Sequence, residues 1–133
     1  MFLKVKLVNL IIRTFGPMKY FPLRRIIEEE IEDTNTKRGV VTIHAKGATP
    51  GVIVMSIDDL NYFDQIIKNI IPITGWKHGN AYAHLRSTIM STTQTIYYEN
   101  GKLYMPDNYE VYFVETRPVH NHRRTIHLII RGI

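Results

Sequence analysis

Apolar and polar positions alternate along some segments of the chain and recur at helical spacing along others. Residues 2–12 place Lys4 and Lys6 between apolar side chains, which predicts a half-buried strand. After Pro22, apolar residues recur at helical spacing and predict an amphipathic helix over residues 23–32. In this helix arginines precede glutamates, opposite to the order that the helix dipole favours, so packing must hold it. Other strand patterns cover residues 40–45, 52–56, 95–98, 103–105, 109–116 and 125–131, and other helical patterns cover residues 58–70 and 81–90.

The connections between these segments indicate the fold class. Two glycines and a proline within residues 46–51 predict a turn that joins its flanking strands as a hairpin-like pair. Asn100-Gly101 is the strongest hairpin signal in the chain, and Asn80 is placed to cap the last helix. Because no regular strand–helix–strand repeat is present, we expect one α+β domain over residues 1–133, with about six or seven antiparallel strands and three helices.

Composition narrows the chemistry that the chain can perform. Its 133 residues include 17 Lys and Arg, 12 Asp and Glu, and no Cys, for a formal charge of +5. The lack of Cys excludes disulfides, thiolate metal sites and Cys nucleophiles, and the mild charge suits a phosphorylated ligand or RNA. Because no apolar stretch approaches the roughly 18 residues of a membrane helix and no signal-peptide pattern is present, we expect a soluble cytoplasmic protein without a membrane partner. Abundant Ile and scarce Gln are a compositional hint of a thermophilic source.

Six histidines are the first candidates for chemistry. His44 and His127 lie within predicted strands, where the simplest interpretation is a polar strand face. His120 and His122 lie in a loop beside arginines, which is either a solvated turn or an anion site. The arginines are Arg117, Arg123 and Arg124.

His78 and His84 form the sharper pair, because one precedes the helix predicted over residues 81–90 and the other lies on it. Their spacing differs from the two-His helix of zinc peptidases, but both could approach the helix N-terminus, where backbone N–H groups attract anions. The alternative is two ordinary surface residues. The chain has neither a glycine-rich phosphate loop nor a serine elbow, and its C-terminal tyrosines are more typical of a half-buried strand than of a base-stacking surface.

The order of short motifs resembles the YjbQ-like family. Residues 80–96 read N-A-Y-A-H-L-R-S-T-I-M-S-T-T-Q-T-I, similar to the family block N-A-D-A-H-[LI]-[KR]-S-S-L-L-G-S-S-x-T-I. Residues 76–78 resemble its [YW]-R-H, residues 100–103 its N-G-R-L, and Val114-Glu115 its C-E. The basic pair at 123–124 and the closing strand up to Gly132 resemble the family's C-terminus, so the resemblance spans nearly the whole chain.

The resemblance implies a β-sandwich-like core, assembly as a homotrimer and sites near the subunit boundaries. Some family members are described as secondary thiamine-phosphate synthases, which join a pyrimidine diphosphate to a thiazole phosphate and release pyrophosphate. Carried over by position, the catalytic residues would be His78, Asn80, His84 and Glu115. The phosphate-binding residues would be Arg86, Thr92, Thr93, Arg123 and Arg124. His78 and His84 would also be the ligands of any divalent metal cofactor, Mg or Zn.

Three departures from the family pattern weaken the catalytic expectation. The family's H-T-[TS] histidine aligns with Gly47, the Glu of its N-E-N aligns near Ser56, and its Trp-Gln aligns with Asn108 and Tyr109. We therefore expect a divergent, trimeric scaffold with a residual phosphate, anion or metal pocket and little or no family catalysis. One alternative is a thiamine-phosphate synthase-type transferase. Nucleic-acid binding is a second alternative, disfavoured because the cations are scattered along the chain rather than gathered in one stripe.

Overall fold

The structure is a computed structural model that describes residues 2–133. Its strands are β1 (Lys4–Thr14), β2 (Lys19–Pro22), β3 (Arg38–Ala45), β4 (Gly51–Ser56), β5 (Thr93–Glu99), β6 (Lys102–Leu103), β7 (Tyr109–Glu115) and β8 (His122–Gly132). Its helices are α1 (Arg24–Asp33), α2 (Leu60–Ile70) and α3 (Ala81–Met90), and a 3₁₀ turn at Ile57–Asp59 precedes α2. No helix within residues 2–133 has both the length and the apolar character needed to cross a bilayer.

The strands form two antiparallel sheets, which confirms the predicted α+β class. The larger sheet has five strands in the order β1-β8-β3-β5-β6, and the smaller has three in the order β2-β7-β4. The long pairing of β1 with β8 runs from Lys4 opposite Gly132 to Thr14 opposite His122, so the two ends of the chain lie side by side. The Asn100-Gly101 turn joins β5 to β6 as predicted, with Glu99 opposite Lys102.

Two apolar clusters divide the molecule into three layers. One cluster lies between the two sheets and includes Ile27 and Ile31 of α1 with alternate residues of β3, β7 and β8. The other lies on the far face of the small sheet and includes Ile67 of α2 with Ala83 and Met90 of α3. The small sheet is therefore covered on both faces, whereas the outer face of the five-stranded sheet stays open.

The hairpin predicted across residues 46–51 is wrong, because β3 and β4 belong to different sheets. The burial of β4 explains the difference: Gly51, Val52 and Ile53 are consecutive and all buried, as in a strand that is covered on both faces. In this fold the small sheet, which is the middle layer, is the sheet that is covered on both faces. The backbone leaves the large sheet at Ala45, whose N–H donates to the carbonyl of Thr92.

Two smaller differences from the predicted elements concern the strand β2 and the helix α2. Residues 2–133 form eight strands rather than the predicted six or seven, because the pattern of the sequence did not predict the short strand β2 before α1. Of the apolar residues in the helical pattern over residues 58–70, Ile67 is buried, but Ile66 and Ile70 are 58% and 56% exposed, since α2 covers the small sheet with only one side. The strand predicted over residues 125–131 lies within β8, where the alternate residues Ile126, Leu128 and Ile130 are all buried.

Candidate functional site

One face of α3 carries polar side chains into a cavity. His84, Ser87, Thr88 and Ser91 recur at intervals of three and four residues, so they share one side of the helix. With Ala48 and Thr92 they line a cavity of about 400 Å³, which we call the hydroxyl pocket. The helical repeat thus concentrates hydroxyls and one imidazole at the end of α3.

Several of these hydroxyls are already committed to the backbone. Ser87 Oγ donates to the carbonyl of Pro50 at 2.6 Å, and Thr88 Oγ1 donates to the carbonyl of His84 at 3.0 Å. Ser91 Oγ donates to the carbonyl of Thr93 at 3.0 Å. Thr92 is half-buried and, within residues 2–133, its hydroxyl makes no hydrogen bond, so it is the hydroxyl most available to a ligand.

A buried ion pair joins the end of β7 to β8, next to the loop of residues 46–49. Arg124 Nε and Nη2 donate to the two carboxylate oxygens of Glu115 at 2.8 and 2.7 Å. Thr14 Oγ1 donates to the same carboxylate at 2.7 Å, and Arg124 Nη2 also donates to Thr49 Oγ1 at 3.1 Å. Burial raises the pKa of the Glu115 carboxyl, but the hydrogen bonds from Arg124 and Thr14 outweigh burial and hold that pKa below its ordinary value. Glu115 is therefore a buried, charged anchor for the Arg124 guanidinium.

The loop of residues 46–49 connects this ion pair to the hydroxyl pocket. Gly47 has φ +129° and lies against Arg124, since a Cβ built on Gly47 would be 3.4 Å from Nη1 of that arginine. The next residue, Ala48, lines the hydroxyl pocket. Nη1 of Arg124 makes no hydrogen bond within residues 2–133, and Arg124 keeps 8% of its surface exposed. The missing side chain at Gly47 therefore leaves room beside an oriented guanidinium edge.

A model of a known family covers almost the whole chain. The model, described as UPF0047 protein YjbQ-like, matches residues 9–132. The chain belongs to the YjbQ-like family. The curated UPF0047 protein YugU of Bacillus subtilis is 23% identical over 116 residues, which cover 82% of this chain and 88% of YugU.

Several solved structures share the fold. A YbjQ-like protein of unknown function from Sulfolobus solfataricus P2 has a TM-score of 0.88 at 22% identity, covering 99% of this chain and 100% of that chain. An uncharacterized conserved protein of the yjbq/upf0047 family from Clostridium acetobutylicum has a TM-score of 0.84 at 20% identity, covering 92% and 98%. A hypothetical protein from Aeropyrum pernix K1 also has a TM-score of 0.84, at 22% identity, covering 96% and 99%.

In this YjbQ-like domain, His78 lies apart from the cavities beside α3, whereas Asn80 and His84 lie together. Asn80 occupies the predicted N-cap position, but its side chain makes no capping hydrogen bond; its Nδ2 lies 3.4 Å from Nε2 of His84 instead. His78 is exposed in the loop before α3 and lines neither the hydroxyl pocket nor the cavity beside Arg86. Within residues 2–133, no three His, Asp or Glu side chains converge as metal ligands, so His78 and His84 gain no third ligand.

The predicted phosphate-binding residues also lie in different places. Arg86 is two residues from His84 on α3 and lines a different cavity, with Pro72 and Ile73. Thr93 is exposed on the outer face of the large sheet, where its Oγ1 lies 2.7 Å from Nδ1 of His44. Arg123 is exposed and pairs across the register with Arg13. Only Thr92 and Arg124 lie at the loop of residues 46–49.

Two hydrogen-bond partners in the Glu115–Arg124 cluster and one contact between histidines were not predicted from the sequence. Thr14 and Thr49 complete the Glu115–Arg124 cluster, and nothing in their local sequence marks them, since their partners lie 101 and 75 residues away. His44 and His127 lie on the polar strand face as expected, but the register also places them opposite one another, with ring centroids 6.2 Å apart and planes inclined by 13°. Recognising that β3 pairs with β8 would have predicted this stack.

Proposed function

We propose that this protein is a divergent YjbQ-like scaffold that binds a small phosphorylated ligand or anion and performs little or no family catalysis. The observation that carries the proposal is Nη1 of Arg124 beside Gly47, at the position where the family motif has histidine. A guanidinium held by a carboxylate and a threonine is preorganised, and its free edge suits a phosphate oxygen. Thr92 and the adjoining hydroxyl pocket would accommodate the remainder of the ligand.

The state of Glu115 supports the absence of catalysis. A general acid or base must reach the proton that it transfers, whereas Glu115 has no exposed surface and both its oxygens are bonded. His84 alone lines the hydroxyl pocket with a titratable side chain. A transferase reaction that expels pyrophosphate would need several groups to stabilise the leaving oxygens, and the lost Glu and Trp-Gln positions supply none of them.

Thermal unfolding with and without inorganic phosphate or pyrophosphate tests the proposed binding. A ligand at about ten times its dissociation constant stabilises the folded state by about 1.4 kcal/mol, which corresponds to roughly 4 °C in Tm. We expect Thr92→Val to reduce this shift, because it removes the available hydroxyl without changing side-chain shape. Thr95→Val, a matched change on the open face of β5, should leave the shift intact. No shift with any phosphate would contradict the proposal.

The transferase alternative has its own assay. The purified protein is incubated with the pyrimidine diphosphate, the thiazole phosphate and Mg²⁺, and thiamine phosphate is measured against a blank without protein. Formation above the blank would favour the alternative, and we expect none.

Nucleic-acid binding gains no support from the charge distribution. Within residues 2–133, five cations form ion pairs with acidic residues: Lys6, Arg24, Arg25, Lys68 and Arg124. Because each ion pair also uses an acidic residue, these pairs leave the net charge of +5 unchanged, and the scatter of the cations along the chain is what disfavours nucleic-acid binding. Salt-sensitive RNA binding would reinstate this alternative.

The proposal includes assembly as a homotrimer, which the family resemblance implies. The open outer face of the large sheet supports self-association, because Val5, Leu7 and Ile11 of β1 are 59%, 73% and 51% exposed there. Exposed apolar side chains on one sheet face are typical of a contact surface.

A further inference from the structure

A second cavity lies beside α3 and has a different chemical character from the hydroxyl pocket. It has a volume of about 400 Å³ and is lined by Pro17, Met18, Lys68, Pro72, Ile73 and Arg86; we call it the Arg86 cavity. The two cavities share no lining residue. Four of the six lining residues are apolar and two are cationic, so the cavity combines an apolar wall with positive charge.

The guanidinium of Arg86 is buried without its full set of hydrogen bonds. Arg86 is 1% exposed, and its Nε and Nη2 both donate to the carbonyl of Ile71, at 3.0 and 2.6 Å. Its third nitrogen, Nη1, has no hydrogen-bond partner among residues 2–133. The ring of Tyr82 lies 5.1 Å from the guanidinium carbon and stabilises the cation without accepting an N–H hydrogen bond in that contact.

The nearest carboxylate does not neutralise this arginine. Asp64 pairs with Lys68 at 2.8 Å and accepts a hydrogen bond from Tyr20 Oη at 2.7 Å. Within residues 2–133, no carboxylate oxygen lies within 4.0 Å of Arg86. Burial lowers the pKa of Arg86, but a guanidinium keeps its proton in proteins. Within the described residues 2–133, this buried charge therefore has only a carbonyl and an aromatic ring as hydrogen-bond and cation–π partners. Such a charge is costly unless an anion pairs with it.

We propose that the Arg86 cavity binds a small organic monocarboxylate, with the carboxylate between Nη1 of Arg86 and Lys68 and the apolar body against Met18, Pro72 and Ile73. The charge of the cavity selects an anion, and its apolar wall distinguishes this ligand from inorganic phosphate. The proposal is independent of the phosphate site at Gly47, because the residues involved are different.

Part of the cavity wall belongs to a segment that is exposed along its whole length. Residues 72–80 are all exposed, so this segment has little packing to hold it against Arg86. Pro72 and Ile73 of the cavity wall belong to this exposed segment, whereas the neighbouring Ile71, which is 5% exposed, accepts the hydrogen bonds from the other two nitrogens of Arg86.

Calorimetric titration of the full-length protein tests the proposal with three probes at constant ionic strength. Benzoate carries both the charge and the apolar body, benzamide has the same shape without the charge, and phosphate has charge without the body. We expect benzoate to bind at least about tenfold more tightly than benzamide, the ratio expected for one charged hydrogen bond. Phosphate should not displace benzoate.

Two variants and a control assign the binding to this cavity. Arg86→Met removes the charge while keeping an apolar side chain of similar reach, and it should weaken benzoate binding by about tenfold or more. Lys68→Gln changes a partly exposed residue and keeps the test valid if Arg86→Met does not fold; we expect a smaller loss, of about threefold. Lys102→Gln, an exposed lysine elsewhere, should change nothing.

The proposals for the Arg86 cavity and for the phosphate site at Gly47 predict different outcomes. Benzoate binding that is absent at millimolar concentration, equalled by benzamide, or unchanged in a folded Arg86→Met protein and in Lys68→Gln would overturn the proposal. A phosphate-induced Tm shift that persists in Arg86→Met would support the separate site at Gly47, so the two proposals can fail independently.

Discussion

Glu115 has no exposed surface, yet the hydrogen bonds from Arg124 and Thr14 keep it charged. Replacing it by Gln leaves the Arg124 guanidinium buried without its partner, which typically costs about 3–5 kcal/mol of unfolding free energy. We expect Glu115→Gln to show this loss in denaturant unfolding at neutral pH. Replacing both partners by apolar residues, Glu115→Leu with Arg124→Met, should cost less than the single change, because no buried charge is then unpaired. A double variant that is less stable would contradict this assignment.

The lowered pKa of Glu115 also predicts how acid affects the protein. A carboxyl whose folded-state pKa lies below its unfolded value, about 4.3, contributes stability above that pH and loses it as the pH falls toward the folded pKa. The difference in unfolding free energy between the natural protein and Glu115→Gln should therefore be constant near neutral pH and shrink below about pH 4.3. Denaturant unfolding at a series of acidic pH values measures this difference, and a constant difference would mean that Glu115 has an ordinary pKa.

Ser91 ends α3 in a backbone conformation that normally requires glycine. Its φ is +71° and its ψ is 151°, a region that costs a residue with a side chain about 1–3 kcal/mol. The family block has Gly at this position. We expect Ser91→Gly to be more stable than Ser91→Ala by about 1 kcal/mol, because both lose the hydroxyl but only glycine relieves the strain. Equal Tm values for the two variants would show that the conformation is not strained.

At the scale of elements, periodicity located the helices well, whereas their supporting contacts could not be predicted. The expectation that packing holds α1 is consistent with the burial of Ile27 and Ile31. The structure adds an acid at the N-terminus of α1, because the backbone N–H of Arg24 donates to Glu110, which lies 86 residues further along the chain. The predicted hairpin at residues 46–51 failed for the same reason, since local turn chemistry does not reveal which sheet a strand joins.

The pairing of β3 with β8 includes two glycines that lie opposite each other. Gly39 lies opposite Gly132 in the register, and the ring of Tyr98 covers both, since a Cβ on either residue would collide with its hydroxyl. Tyr98 itself is fixed by a hydrogen bond of 2.6 Å with Thr36.

We therefore expect Gly132→Ala to lose about 1–3 kcal/mol of unfolding free energy, the usual cost of overpacking a core. Gly79→Ala is the matched control, because a Cβ at Gly79 would meet no atom within 4 Å. Chemical denaturation of both variants measures the contrast. A Gly132→Ala protein as stable as Gly79→Ala would mean that Tyr98 moves aside without cost.

At the scale of the whole molecule, the sequence indicated the fold and the family but not the site. Thr92 and Arg124 were both expected to bind phosphate, and both lie at the loop of residues 46–49. Arg86 was assigned to the same set, although its position two residues after His84 already turns it to another side of α3. No local pattern reveals that Arg86 and Glu115 are buried, because their burial is decided by how α3 and β7 pack against distant segments.

The open face of the five-stranded sheet leads to the prediction for assembly. Alternate residues of β1 place Leu7 and Ile11 on this face, and lysines there would put charge into any contact that buries them. We expect the natural protein to sediment as three chains and the double variant Leu7→Lys with Ile11→Lys to sediment as one. The same change on α2, Ile66→Lys with Ile70→Lys, is the matched control, since these residues are similarly exposed on the opposite side of the molecule. If the control dissociates and the β1 variant does not, the contact between chains lies on the helical layer instead. A natural protein that is monomeric at micromolar concentration would contradict the trimer.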